Sequence, residues 1–279
     1  MKHAFVIGDQ VQHSRSPVIH QHWIKKYKLA NCSYEAIVVT RDDIEDFESR
    51  LRSGEFVGGN VTIPHKETAL ALADERSSTA QAIGAANTLI VSETNQKVSA
   101  HNTDAYGFAA NLDSGAPQWR NGKTALVLGA GGAARAIVYA VLEAGYERVA
   151  LANRTLSRTD WFVENFGAKV VPIAWDAVEN ELPSADLMVN TTSLGMEGNP
   201  PLDICLKNAK ETLIVTDIVY VPLQTDLMQR ATANGLTTVD GLGMLLHQAV
   251  PGFEMWFGVR PEVTPELRAL VLADLGATA

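Results

Sequence analysis

The sequence predicts an α/β protein built as two α/β domains, and three observations carry the prediction. Short apolar runs alternate with helical patterns along almost the whole chain. That alternation breaks at a cluster of turn-forming residues, Ser114-Gly115-Ala116-Pro117-Gln118, and then restarts. At the restart, a glycine-rich turn separates an apolar run from a helical pattern. A chain of 279 residues is long enough for one large domain or two ordinary ones, each with a core of its own.

In the first half, Ala4 to Ile7, Tyr34 to Val39, Phe56 to Val61 and Thr88 to Val91 read as strands. Helical stretches lie near Pro17 to Tyr27 and Asp42 to Arg52, and another follows Pro64. This βαβα order predicts a mostly parallel sheet with helices on its faces. After the break come strand Thr124 to Leu128, helix Ala133 to Ala144 and strand Val149 to Ala152. Further strands are expected at Lys169 to Ile173, Leu187 to Val189, Leu213 to Thr216 and Thr237 to Val239. A helix near Asp104 to Asn111 is expected to join the two domains. The stretch from Met244 onward is helical without a strand of its own, and packing back on the first domain would give it a surface to cover.

Composition removes several function classes. Hydrophobic residues make up 46% and charged residues 20%, the proportions of a globular protein. No run of about 18 apolar residues is present, so no membrane span is expected. The N-terminus enters a short apolar strand and then turns polar, without the apolar region and cleavage site of a secretory signal; a cytoplasmic address is expected. Cys32 and Cys205 are far apart and form no CxxC pair, which leaves two reduced thiols as the plain reading. A formal net charge of −9 disfavours nucleic acid, whose binding depends on neutralising phosphates. A small anionic ligand held by local groups is still compatible.

The glycine turn carries the first chemistry. Gly129, Gly131 and Ala134 fit the spacing G-x-G-x-x-G/A between an apolar strand and a helix, the dinucleotide-binding pattern of a Rossmann-type domain. Gly129 permits the tight turn, Gly131 admits the pyrophosphate to the backbone, and Ala134 lets helix and strand pack closely. The backbone N–H groups of Ala130, Gly131, Gly132 and Ala133 and the positive end of the helix dipole then face the phosphates. Glycines alone also mark ordinary turns; the strand–turn–helix–strand context is what favours binding. The next strand ends at Asn153-Arg154-Thr155, where an NAD site would carry an acid for the ribose hydroxyls. Amide, guanidinium and hydroxyl donors stand there instead, with Arg158 beyond, and favour the 2′-phosphate of NADP. A solvated surface arginine is the plainer alternative.

Four polar motifs mark the first half. His13-Ser14-Arg15-Ser16-Pro17 follows the first strand; Ser16 before Pro17 is good N-capping chemistry, but a cap needs only one serine. The hydroxyls of Ser14 and Ser16 would equally suit a carboxylate. Gly58-Gly59-Asn60-Val61-Thr62-Ile63-Pro64-His65-Lys66 puts a lysine in the first turn of a helix, where the dipole favours anions. That misplacement points to proton transfer, with an ordinary surface lysine as the alternative. Gly84-Ala85-Ala86-Asn87-Thr88 and Asn102-Thr103-Asp104-Ala105-Tyr106-Gly107 would each, taken singly, be read as turns.

Together with Asn190-Thr191-Thr192-Ser193-Leu194-Gly195-Met196, Asp217-Ile218-Val219-Tyr220-Val221-Pro222 and Gly243-Met244-Leu245-Leu246-His247-Gln248, these motifs run the length of the chain. In that order they resemble the quinate/shikimate dehydrogenase family. The resemblance implies a substrate domain from residues 1–105 and 244–279, an NADP domain from 106–243, and a cleft where they meet. It implies NADP-dependent reversible reduction of 3-dehydroshikimate to shikimate, a step of aromatic amino-acid biosynthesis. By the same resemblance Lys66 is the catalytic acid/base and Asp104 its neighbour. Ser14, Ser16 and Tyr220 would hold a carboxylate; Asn60, Thr62, Asn87 and Gln248 would bind ring hydroxyls or shape the pocket. Thr191 and Gly241 join the cofactor residues named above. No metal is required, and His20 and His22, two apart on a helix, do not share a face.

Two departures from the family pattern stand out: Asp9-Gln10 ahead of the serine motif, and the acid Asp226 where proline is common. The rival expectations are use of quinate as well as shikimate, a dehydrogenase for another carboxylated polyol or amino sugar, and a non-catalytic NADP-binding regulatory protein. Ser16, where quinate-using relatives often carry threonine, favours shikimate. The expected assembly is a monomer or homodimer.

Overall fold

In the computed structural model, which describes residues 1–276, the chain divides into two compact units. One comprises Met1–Thr103 and the stretch from Gln248 onward; the other is Asp104–His247. Each is built around a six-stranded sheet.

The strands of the first unit are β1 (Lys2–Gly8), β2 (Cys32–Val38), β3 (Gly58–Val61), β4 (Glu75–Arg76), β5 (Thr88–Val91) and β6 (Val98–His101), in the order β2-β1-β3-β5-β6-β4. Parallel ladders join β1 to β2, β1 to β3 and β4 to β6, whereas β3–β5 and β5–β6 are antiparallel. The sheet is thus mostly parallel, as expected: five strands share one direction and β5 alone runs against them. Strands β4 and β6 escape notice in the sequence because together they provide only two apolar residues, and so does the short turn that makes β5–β6 a hairpin. The helices Ser16–Lys26, Ile44–Leu51 and Lys66–Leu72 match the expected ones to within about two residues.

Aromatic packing fixes one face of this sheet. Phe5 meets Phe47 and Phe56 edge-on, with ring centroids 5.0 and 4.9 Å apart, and all three are buried. The C-terminal helices Leu242–Phe257 and Pro265–Asp274 cover the opposite part of the unit. Trp256 Nε1 donates to Leu89 O at 2.8 Å, and Trp23 Nε1 to Glu262 O at 3.1 Å. These bonds satisfy indole donors that burial would otherwise strand.

The second unit holds β7 (Thr124–Leu128), β8 (Arg148–Ala152), β9 (Val170–Ile173), β10 (Leu187–Asn190), β11 (Ile214–Asp217) and β12 (Thr237–Val239). Their order is β12-β11-β10-β7-β8-β9 and every ladder is parallel. This is the doubly wound arrangement of a Rossmann-type domain, whose chain reverses direction across the sheet between β7 and β10. Residues Ala125 to Leu128 and Val149 to Ala152 are wholly inaccessible, as parallel strands covered on both faces must be. The helix Asp104–Gly115 opens the unit. Among the described residues, no helix is long and apolar enough to cross a membrane.

Candidate active site

Sheet direction explains why the polar motifs of the first unit gather. The chain leaves β1 and β3 at the same edge, and β5, running the other way, begins there. Strand β6 reverses again, so Asn102 and Thr103 emerge beside Asn87: Thr88 lies opposite both Asn60 and His101. The missed strand β6 is thus what brings the fourth motif to the first three.

Backbone bonds tie these ends together. Val61 N donates to Asn87 O at 2.8 Å, Asn87 N to His101 O at 3.0 Å, and Ala86 N to Lys66 O at 2.8 Å. Lys66 opens its helix, where no side chain caps the N-terminus; the preceding His65 is buried and its Nε2 lies 2.7 Å from Val39 O. Side chains complete the cluster. Asn87 Oδ1 accepts from Thr103 N at 2.7 Å and Thr88 Oγ1 at 3.0 Å, while Nδ2 donates to Gln248 Oε1 at 3.3 Å and to Thr103 Oγ1 at 3.0 Å. Asn60 Nδ2 donates to Asn87 O and Thr88 Oγ1, and its Oδ1 accepts from the Tyr34 hydroxyl at 2.6 Å. Asn60, Asn87 and Gln248 are buried and Thr62 is half-buried.

The serine motif differs from expectation. Ser16 is the first helical residue, makes no side-chain cap, and instead its N–H donates to Ser14 Oγ at 3.3 Å. The short turn Val11–His13 sets this register by placing Ser14 ahead of the helix. The Ser16 hydroxyl is therefore not spent on capping; it is buried and reaches Tyr34. Asp9, the first departure from the family pattern, is exposed beside a depression lined by Thr40, Arg41 and Thr62.

The second unit gathers the other nominated residues at the carboxyl ends of its strands. Gly129 has a φ of +100°, and a Cβ there would stand 2.7 Å from Thr191 Oγ1, so both conformation and space demand glycine. Thr191 Oγ1 donates to Leu128 O at 2.7 Å and braces the turn. Asn153 braces it from β8: its Oδ1 accepts from Ala130 N at 3.2 Å and its Nδ2 donates to Thr155 O at 2.7 Å. Gly241 lets the chain after β12 lie against Ile218 O, which a Cβ would approach to 2.5 Å.

Gly131 and Gly132 behave differently. Both are exposed, and a Cβ at either meets nothing within 4 Å. Protein packing does not require glycine there; a backbone open to a ligand does. The helix Gly132–Glu143 that follows has no side-chain cap, which leaves its first N–H groups for an anion. Arg154, Thr155 and Arg158 are exposed just beyond β8. These residues fit a pyrophosphate on the turn and a further phosphate on the guanidinium groups. Asp104 is buried at the start of its helix, and Tyr220 is half-buried after β11.

Asn190 and Asp217 belong to the sequence motifs, but nothing local to them in the sequence points to a task. They end β10 and β11 and are fully buried. Asp217 accepts from Asn190 Nδ2, Val219 N and Thr225 Oγ1 at 2.9, 3.0 and 2.9 Å. Asn190 Oδ1 accepts from Thr192 N and Oγ1 at 3.0 and 2.8 Å. One buried carboxylate thus fixes both the loop carrying Thr191 and the loop carrying Tyr220. Burial raises its pKa above the usual carboxylate range, against the pull of the three donors. Asp226 explains itself: Thr225 caps its helix, an acid suits that end, and Arg230 pairs with it at 2.7 Å. Among the described residues, no group of three or more His, Cys, Asp and Glu side chains could hold a metal ion.

Known proteins carry the same pattern. Three family models match in order: the shikimate dehydrogenase substrate binding domain over residues 6–89, shikimate/quinate 5-dehydrogenase over 115–242, and the shikimate 5′-dehydrogenase C-terminal domain over 241–270. Shikimate dehydrogenase (NADP(+)) of Azorhizobium caulinodans is 50% identical over 278 residues, covering 99% of this chain and 98% of that protein. Shikimate 5-dehydrogenase of Thermus thermophilus, solved with NADP(H) and shikimate, matches at a TM-score of 0.84 and 36% identity, over 99% of this chain and 100% of that one. Quinate dehydrogenase of Corynebacterium glutamicum, solved with NAD, matches at 0.87 and 30% identity, over 98% of this chain and 99% of that one. With motifs, fold and relatives agreeing from end to end, the chain belongs to the shikimate dehydrogenase family.

Proposed function

We propose that the protein is an NADP-dependent shikimate dehydrogenase, which interconverts 3-dehydroshikimate and shikimate. The observation that carries the reading is the pairing of two local designs in one chain. A glycine turn left open to a ligand precedes exposed Arg154 and Arg158, and a buried amide-and-hydroxyl cluster around Asn60 and Asn87 is tied to the first turn of the Lys66 helix by the bond from Ala86 N to Lys66 O. The Azorhizobium relative bears the NADP-dependent activity in its name, and the Thermus relative is solved with both ligands.

In this reading NADP rests on Gly129 to Ala133, with its 2′-phosphate against Arg154, Thr155 and Arg158; Asn153, Thr191 and Gly241 shape the site. The cofactor supplies or takes up the hydride. Ser14, Ser16 and Tyr220 hold the substrate carboxylate, while Asn60, Thr62, Asn87 and Gln248 hold the ring hydroxyls. As negative charge builds on the ring oxygen, the Lys66 ammonium stabilises it and donates a proton; in the oxidative direction the lysine takes that proton back. Asp104 grips a neighbouring hydroxyl and orients the ring. General acid–base help of this kind contributes about 10²–10⁴-fold. The protein works in the cytoplasm as a monomer or homodimer.

The test is NADP reduction by shikimate, with quinate in parallel, in the wild type and in Lys66→Ala. The expected result is turnover of shikimate by the wild type and a loss of about 10²-fold or more in Lys66→Ala with NADP affinity retained. Binding of NADP without reduction by either acid would overturn the enzyme reading. Equal specificity constants for the two acids would replace it with a broader quinate/shikimate dehydrogenase.

A further inference from the structure

Arg135 has none of the roles assigned so far, although it stands one turn inside the helix Gly132–Glu143 that the open glycines begin. Its neighbours Ala134, Ala136, Ile137 and Val138 are buried, whereas Arg135 is half-buried. Residues three and four apart share a helix face, so Arg135 lies on the face of Gly131 and Gly132. Helix side chains lean toward the N-terminus, which directs this one toward the exposed end of the helix. It stops beside the glycines and not over them, for a Cβ at either would still meet nothing within 4 Å.

A tryptophan sets where the guanidinium stops. Arg135 Cζ lies 4.0 Å from the centre of the Trp161 ring, close contact for a cation on an aromatic face. Trp161 is itself fixed: Phe162 and Phe166 meet it edge-on, with centroids 5.3 and 5.6 Å away at 88° and 84°. Helical backbone runs without a break from Leu156 through Phe166, so Arg158, three residues before Trp161, shares its face. The stack thus joins the helix after the glycine turn to the segment after β8 that carries Arg154 and Arg158. Stacking engages the face of the guanidinium plane and leaves its edge of N–H groups for the bidentate grip that suits phosphate. In a chain with a formal net charge of −9, three arginines from two elements flank one open turn.

We propose that Arg135 is a further specificity residue for NADP: its guanidinium joins Arg154 and Arg158 on the 2′-phosphate, and Trp161 is the positioning residue that holds it there. The proposal rests on the NADP reading above. Location decides between the phosphates of the cofactor. In that reading the pyrophosphate takes the N–H groups of the glycine turn, and Trp161 keeps the guanidinium to one side of them. The 2′-phosphate belongs with Arg158, on whose helical face Trp161 stands.

The experiment is calorimetric titration of NADP and NAD, which differ only in the 2′-phosphate, into the wild type, Arg135→Ala, Trp161→Ala and the double variant. Arg135→Ala is expected to weaken NADP about 10-fold or more and NAD by less than about twofold. Trp161→Ala should weaken NADP about 3- to 10-fold with NAD again within about twofold, and Trp161→Phe should recover most of that loss by restoring an aromatic face. The double variant should bind NADP as Arg135→Ala does, because Trp161 acts through Arg135. Equal losses for the two cofactors would take Arg135 off the 2′-phosphate and overturn the proposal. So would a Trp161→Ala loss that persists in full on the Arg135→Ala background. Should Trp161→Ala fail to fold, Arg135→Ala decides, and an unchanged ratio of NADP to NAD affinity overturns the proposal. A wild type that binds NADP no more tightly than NAD is a separate outcome, and it sinks the NADP reading before any variant is compared.

Discussion

His20 should make the protein acid-sensitive in a way that one substitution removes. Its side chain is completely inaccessible, lies between the Tyr34 and Phe253 rings, and neither of its nitrogens has a hydrogen-bond partner of good geometry. Burial lowers its pKa from 6.5 to about 3, with the neighbouring Asn60 amide opposing part of the shift. A histidine whose folded value lies below its unfolded one stabilises fully above pH 6.5, and that stability is lost as the pH falls toward 3. Each pH unit within this window costs about 1.4 kcal/mol, which gives about 2 kcal/mol at pH 5 and about 3 kcal/mol at pH 4. Against a total of roughly 5–15 kcal/mol, such a loss is readily measured. The perturbation is His20→Phe, which keeps the stacked ring and cannot titrate. Urea unfolding of both proteins, followed by tryptophan fluorescence at pH 7, 5 and 4, gives the difference in stability. All other titrating groups are common to the pair, so they cancel. The difference should move in favour of the variant by about 2 kcal/mol between pH 7 and pH 5. A difference constant to within about 0.5 kcal/mol over that range would refute the assignment of a buried, neutral His20.

Two further substitutions probe the second unit. Asp217→Ala leaves Asn190 Nδ2, Val219 N and Thr225 Oγ1 without their acceptor, and stranded buried donors cost about 1–3 kcal/mol each; a denaturant midpoint unchanged from wild type would contradict the hub role. Arg154→Ser should weaken NADP binding about 10-fold or more in calorimetry and leave NAD nearly unaffected; equal losses for the two cofactors would remove Arg154 from the 2′-phosphate.

The second unit was the more legible half because its strands are buried on both faces. Ala125 to Leu128 and Val149 to Ala152 are continuous apolar runs, and the turn after the first is marked by a glycine whose φ demands it. In the first unit, β4 is two exposed charged residues and β6 alternates over only four, so neither rises above the surrounding turns. Lys66 was visible because its charge contradicts its place on the helix. Ser16 before Pro17 reads as a cap, yet the turn before it makes Ser16 the first helical residue, with Arg15 at the N-cap and no side chain capping the helix. The bond between Tyr34 and Asn60 was hidden for a different reason. They are 26 residues apart on strands flanking β1, and their bond exists only once three strands are in register. Local pattern finds groups that act within one segment; it cannot find a bond that forms only between segments.

The interrupted first unit has a consequence for the order of synthesis. Trp256 closes on Leu89 across 167 residues and Trp23 on Glu262 across 239, with the whole of Asp104–His247 translated in between. A ribosome therefore releases every residue of the second unit before the first has the helices that seal it. The N-terminal sheet must wait, with Trp23 uncovered, for the last segment of the chain. Early termination after about residue 247 would yield a complete cofactor unit attached to an unsealed partner, the kind of species that chaperones retain.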